Sequence, residues 1–347
     1  MADPEDRTSC AQPEPGAHRD RVVAVISAFR PSRALIGHCA TLAPQVSRVI
    51  VVDDGSGEGA RPVLDELERG GISVIGNSEN GGIGAAMNQG IAAAIEGGAE
   101  LVITFDQDSQ VPPGFVDALV EEFDRGVAAG LNVGMVAPEF FSLTPQTRMQ
   151  QDRGFLEAYA PIQSGLLMPA AVLQQLGPQR ADYFIDLVDT EYYLRARRAG
   201  YEAICAPGLV LPHGFGHRLY VHFLGRRLRK RDGSPRMVAV SSPFRYYYRA
   251  RNRVVLNREY ARDGRDPQLR ALLRRDARND LVLDYAVAVW SARGKVALCS
   301  LMLAGWRDGV RGRLGKMPAK LARRAAKVSW KHPVESDSGS EPESGSV

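Results

Sequence analysis

The stretch "ITFDQDSQVPPG" runs from Ile103 to Gly114 and continues the apolar run "AELVITF", so a β-rich segment ends in two acids, Asp106 and Asp108. Side chains in a strand alternate between faces, so residues two apart point the same way and these carboxylates are expected to share one volume. Like charges held together call for a cation. Upstream, "RVVAVISAF" (21–29), "VSRVIVVDDGSG" (46–57) and "ISVIGN" (72–77) give three further strands. Helix-length segments separate them: "SRALIGHCATLAP", "RPVLDELERG" with Gly70 as its stop, and "GIGAAMNQGIAAAIEGG". Strands alternating with helices predict an α/β fold with a mainly parallel sheet and helices on both faces. Ligands of such sheets sit at the carboxyl ends of the strands, where Asp53, Asp54, "NSENGG", Asp106 and Asp108 all fall.

Composition narrows the class. The chain has 347 residues, 44% apolar and 24% charged, as expected of a globular protein with room for a sizeable core. Residues 1–20 are polar and Pro-rich without the apolar run of a signal peptide, and residues 332–347 are Ser/Glu-rich, so both are expected to be disordered tails. Four scattered cysteines exclude a disulfide framework or a zinc site of the usual spacing and point to a reducing cytoplasm. The longest uncharged apolar candidate, "VALCSLMLAGW", is too short to span a bilayer. The net charge of +4 hides an asymmetry: residues 218–331 carry 29 Lys+Arg against 8 Asp+Glu, or +21, leaving −17 elsewhere. Such a block seeks anionic partners.

Each motif alone has a plain structural reading. "DQDS" before "VPPG" is good turn chemistry, and a carboxylate at a helix start, as at Asp189 in "FIDLVDTEYYLRARRAG", is often just a cap. "NGGIGAAMNQG" lacks the third glycine of a dinucleotide fingerprint and follows the third strand, so that reading is rejected; close packing by Ala85 and Ala86 is the plain alternative. A lone histidine such as His213 in "LPHGFGH" is more often structural than a ligand.

In order and spacing, "VISAFRP", "VVDDGS", "NGGIGAAMNQG", "DQDS", "VDTEYYLRARRAG" and "PHGFG" resemble the successive signatures of the inverting family 2 glycosyltransferases. The resemblance covers about 21–217. "FIDLVDTEYYLR" with "SPFRYYYRARNRVVL" is most similar to the rhamnosyltransferase branch and extends it to about residue 257. It implies a GT-A, Rossmann-like catalytic domain over 21–225, followed by a basic helical extension over 226–331. It also implies transfer of a sugar, rhamnose from TDP-rhamnose, to a hydroxyl of a glycan or lipid-linked acceptor in cell-surface polysaccharide synthesis.

Position by position, the resemblance makes Asp54 a nucleoside contact, and Asp106 with Asp108 the holders of a metal–diphosphate, Mg²⁺ or Mn²⁺. His213 would reach that metal from the other side, and Asp189 would be the general base. Phe29, Asp53, Asn80, Gly82, Asn88 and Gln107 complete the implied nucleotide-sugar contacts. Val188 stands where many members carry Glu. Phe29 and Arg30 depart from the usual Tyr-Asn, which leaves nucleobase preference open between a TDP and a UDP sugar.

The basic half has competing readings. Lys/Arg with interleaved Tyr fits a nucleic-acid surface. The arginines around Tyr246, Tyr247 and Tyr248, the run "RRLRKR" (226–231), and Trp290 and Trp306 fit a peripheral anionic membrane surface on the inner face of the plasma membrane. A solvated helical face is the plain reading. A nucleotidyltransferase is disfavoured because "SAFRPS" has no glycine for a triphosphate loop, and a pure binding protein leaves the strand-end acids unexplained.

Overall fold

The computed structural model describes residues 18–150, 153–212, 217–223, 226–261 and 267–334. The sheet contains β1 (Val22–Ala28), β2 (Arg48–Asp53), β3 (Ser73–Gly76), β4 (Leu101–Asp106), β5 (Val133–Phe141), β6 (Thr144–Pro145), β7 (Thr147–Gln150), β8 (Leu156–Ala158), β9 (Leu166–Pro169) and β10 (Glu202–Leu211). Its order is β3-β2-β1-β4-β9-β5-β10-β8-β7, with β6 on β5. The first four strands are mutually parallel; β9 is antiparallel to both β4 and β5, and β10 returns parallel to β5. The sheet is therefore mainly parallel but mixed, a feature that strand–helix alternation alone does not reveal.

The helices are α1 (Ala34–Leu42), α2 (Arg61–Arg69), α3 (Ile83–Glu96), α4 (Phe115–Ala128), α5 (Ala170–Leu176), α6 (Val188–Arg198), α7 (Arg245–Tyr260), α8 (Pro267–Asn279), α9 (Tyr285–Ser291), α10 (Lys295–Val310) and α11 (Ala319–Ala325). Pro62 opens α2, where a missing N–H costs nothing, and Gly70 ends it. Alternating residues of β1 feed opposite layers: Val22, Ala24 and Ile26 meet α1 and α4 residues, whereas Val23 and Val25 meet Ala86 and Met87 of α3. That α3 packing is very close. A Cβ on Gly90 would lie 2.3 Å from a Val25 methyl, and Ala86 is fully buried.

Parallel pairing places the strand-end acids on one edge. Asp53 is the register partner of Ala28, and Asp106 that of Ser27, so both flank the last two residues of β1. β4 ends at Asp106, however, and Gln107 and Asp108 lie in the turn that follows. The expectation of one strand face for Asp106 and Asp108 is corrected accordingly: their proximity comes from the turn.

The largest difference concerns α7. Its Tyr246, Tyr247, Tyr248, Arg251 and Asn252 are at most 2% exposed, so this basic, aromatic stretch is interior, not a membrane or nucleic-acid face. Leu256 and Tyr260 join the core beneath α3 and α6. Across α7, α10 approaches through Gly305 and Gly309, where added Cβ atoms would meet the carbonyl oxygens of Tyr247 (2.1 Å) and Arg251 (2.6 Å). Charge per residue says nothing about burial once a guanidinium is saturated by carbonyls.

Candidate active site

At the carboxyl edge of β2, Asp54 is buried and accepts hydrogen bonds from the amides of Gly81 (2.8 Å) and Gly82 (2.9 Å). Burial raises its pKa, while those amides and Asn77 pull it back. Asp53 accepts from the Ser56 amide at 3.2 Å and from the Ser56 hydroxyl. Asn80 accepts from the Gly82 amide at 3.1 Å. These residues shape the β2 and β3 loops, so any nucleoside contact by Asp54 uses a lone pair beyond those engaged by Gly81, Gly82 and Asn77.

Two implied nucleotide-sugar contacts have structural duties. Gln107 pairs with the Phe29 backbone, accepting from its N–H at 2.9 Å and donating to its C=O at 3.2 Å, which ties the ends of β1 and β4 together. Asn88 forms the same reciprocal pair with Gln179, at 2.8 and 3.0 Å, anchoring the 178–183 segment to α3. Both amides thus act as backbone staples within the protein itself. Gly82 also has a positional role: with φ +89° and a would-be Cβ 2.3 Å from the Phe184 carbonyl, it lets α3 touch the segment leading into α6.

Asp189 is the second residue of α6, one position inside the expected helix start. Its carboxylate accepts from the amides of Thr190 (2.7 Å) and Gln163 (3.3 Å). Burial is the leading cause of its raised pKa, opposed by those two amides. Asp106 is pushed up to about 7, first by burial, then by the facing carboxylates of Asp108 and Asp189; Arg245 opposes this. The three acids therefore share one electrostatic neighbourhood. Carboxylates gathered in this way suit a divalent cation, and two of them plus diphosphate oxygens would satisfy Mg²⁺ or Mn²⁺. Among the described residues no group of three metal-ligating side chains assembles, and His213 lies outside the described residues.

The sequence reading gave no residue the task of joining these acids. The Gln163–Ser164–Gly165 turn bridges β4 and α6: the Ser164 hydroxyl accepts from the Asp106 amide, and the Gln163 carbonyl accepts from the Thr104 hydroxyl at 2.6 Å. The Gln163 side-chain Nε2 is buried without a partner among the described residues. Left-handed backbone at non-glycine Phe184, Asp186 and Leu187 precedes Asp189, a costly conformation that persists only when surroundings over-determine it. α7 provides the restraint. Asn252 Nδ2 donates to the carbonyls of Tyr183, Ile185 and Asp186 at 2.8–3.1 Å, and Arg251 donates to those of Asp182, Tyr183 and Gly315. Arg245 grips Asp186 at 2.6 Å and extends positive charge toward Asp106. A hollow of about 480 Å³ bounded by Pro178–Asp182, α6 and Glu259 contains none of the strand-end acids; its Arg180 and Arg195 are ion-paired.

With this geometry in place, comparison with known proteins gives consistent relatives. Residues 33–170 match the family model described as glycosyl transferase family 2. The chain is 27% identical over 250 residues to "dTDP-rhamnosyl transferase RfbF" of Shigella flexneri, covering 69% of this chain and 80% of that protein. Two crystal structures of S. aureus TarS superpose with TM-score 0.53 at 12% identity. The full chain is covered to 50% by 88% of this one, and its 1–349 fragment to 82% by 84% of this one. At that identity the likeness establishes the fold, a GT-A architecture.

Proposed function

Starting from a chain that carries a family 2 glycosyltransferase domain in a GT-A fold, we propose that it moves rhamnose from TDP-rhamnose to a hydroxyl of a glycan or lipid-linked acceptor, with inversion. The observation that carries this reading is the convergence of Asp106 and Asp189 on the Gln163–Gly165 turn. It supports a reading in which a diphosphate-side acid and a half-buried carboxylate of raised pKa act beside the same turn. The name of the Shigella relative supports the donor.

In this reaction the acceptor oxygen forms its bond to the anomeric carbon as the bond from that carbon to the diphosphate breaks on the opposite face. Asp189 takes the hydroxyl proton, and TDP leaves. The Thr190 and Gln163 amides each occupy one lone pair of Asp189 and fix its orientation, leaving another to receive the proton. Asp106 and Asp108, together with His213 as the resemblance implies, would hold a divalent cation, which would supply neutralisation of the charge on the departing diphosphate. Asp54 and the loop it organises receive the nucleoside. Arg245, locked to Asp186, keeps a fixed positive charge facing the diphosphate side of the cleft. The 21–225 portion supplies donor chemistry and 226–331 braces it and meets the acceptor. The acceptor is presented at the cytoplasmic face of the plasma membrane during cell-surface polysaccharide assembly; no described helix is long and apolar enough to cross a membrane.

A calorimetric panel of TDP, UDP and GDP, each with and without Mn²⁺, tests the donor. Metal-dependent binding with TDP tightest is expected. A UDP preference would keep the mechanism and replace the donor, and no nucleotide binding under any metal condition would overturn the reading.

A further inference from the structure

α10 carries two opposite apolar stripes, and only one is used. Leu298, Leu301, Gly305 and Gly309 are buried, with both glycines pressed against α7. At about 100° per residue, Val296, Cys299, Leu303, Trp306 and Val310 fall within a stripe about 80° wide on the other side. That stripe stands open: Val296 is 85% exposed, Leu303 63%, Trp306 53% and Val310 42%, and Cys299 is also exposed. Single exposed apolar residues are ordinary, but a contiguous helical stripe centred on Leu and Trp marks an interaction surface.

The rim of the stripe states what it meets. On the helical wheel Lys295 borders one side and Arg307 with Arg311 the other, all exposed. Trp290, 60% exposed, adds a ring at the start of the helix with the Lys295 ammonium 5.4 Å from its centroid. Residues 291–334, which contain α10 and α11, hold eleven Lys+Arg and one acid, Asp308, whose carboxylate is engaged by the Tyr247 hydroxyl. Two copies of such a face repel each other. An apolar stripe with tryptophan, flanked by cations and lying on a helix too short to span, matches an anionic bilayer surface, where apolar side chains enter the acyl boundary and cations meet lipid phosphates.

We propose that the Val296–Val310 stripe of α10, with Trp290 and its basic rim, is the face on which this protein docks to an anionic lipid surface. The placement suits the reaction: Leu301 on the inner stripe shares a hydrophobic cluster with Phe184, whose segment leads to Asp189. The inference rests on the proposed lipid-linked acceptor for its purpose, and the experiment separates the two.

Full-length protein is sedimented with phosphatidylcholine vesicles containing 30% phosphatidylglycerol, and with phosphatidylcholine alone. The wild type is expected to bind the anionic vesicles, to bind the neutral ones at least tenfold more weakly, and to be released by high salt. Leu303→Glu/Trp306→Glu is expected to weaken anionic-vesicle binding by about tenfold or more, given what burying such side chains contributes. The same variant keeps its melting temperature and its transfer to a water-soluble acceptor, because neither residue touches the cleft. Binding insensitive to the double substitution, equal binding to neutral vesicles, or no binding at all would overturn the proposal. So would a dimer in solution that the substitutions dissociate without any vesicle binding. Loss of transfer to soluble acceptor in the wild type itself would refute the glycosyltransferase reading while leaving the docking result intact.

Discussion

Asn252→Ala isolates what α7 does for catalysis. The wild-type amide serves three carbonyls, and one of them, at Tyr183, keeps a bond from Arg251 at 2.7 Å. The substitution therefore orphans the carbonyls of Ile185 and Asp186. A buried unsatisfied group costs about 1–3 kcal/mol, and because these two carbonyls are only part-buried about 1–3 kcal/mol in all weighs against the native segment. Phe184, Asp186 and Leu187 each store strain of about 1–3 kcal/mol, and the cheapest relief is a local relaxation of the segment before Asp189. A displacement of about 1 Å at a reacting group costs about a hundredfold in rate. The expected result is a kcat about a hundredfold lower, with TDP affinity changed less than about threefold, because Asp53, Asp54 and Asp106 lie on other elements. Leu256→Ala, one turn further along α7 in the main core, is the control: it should lose about 2–5 kcal/mol of stability yet hold kcat within a few-fold. Steady-state kinetics below both melting temperatures, with calorimetric TDP binding, decide the matter. If Asn252→Ala kept wild-type kcat, or if kcat and TDP affinity fell together, positioning by α7 would be refuted.

Two further outcomes follow from the same geometry. Gly82→Ala forces a Cβ to within 2.3 Å of the Phe184 carbonyl at a positive φ, so thermal unfolding should show a loss of about 2–4 kcal/mol, with kcat falling more than TDP affinity; wild-type stability would contradict the close approach. Burial raises the Asp189 pKa, and a base works only when deprotonated, so kcat should fall tenfold per pH unit below an acidic limb lying above the ordinary aspartate range. A limb at or below the ordinary value near 3.9 would mean that Asp189 is not the titrating base.

The β1–β4 half was legible because strand and helix periods, and acids at strand ends, are local signals. Asp53, Asp54 and Asp106 fall on the expected edge for that reason. The stapling by Gln107 and Asn88 was not legible because their partners, Phe29 and Gln179, lie 78 and 91 residues away, and nothing local says that an amide already has a backbone partner. "RYYYRARN" looked like a surface because arginine usually is; a fully buried Arg251 with carbonyl partners looks no different in sequence. "QSG" reads only as a turn before a buried run, since its work of joining β4 to α6 arises after the chain has folded.

The central claim, that Asp189 removes the acceptor proton in a sugar transfer, is tested most directly by Asp189→Asn. Transfer from TDP-rhamnose and calorimetric TDP binding are measured on one preparation. The account predicts a kcat lower by about 10²–10⁴-fold with TDP affinity within about threefold of wild type. Transfer within threefold of wild type, or loss of transfer and TDP binding together, would contradict it.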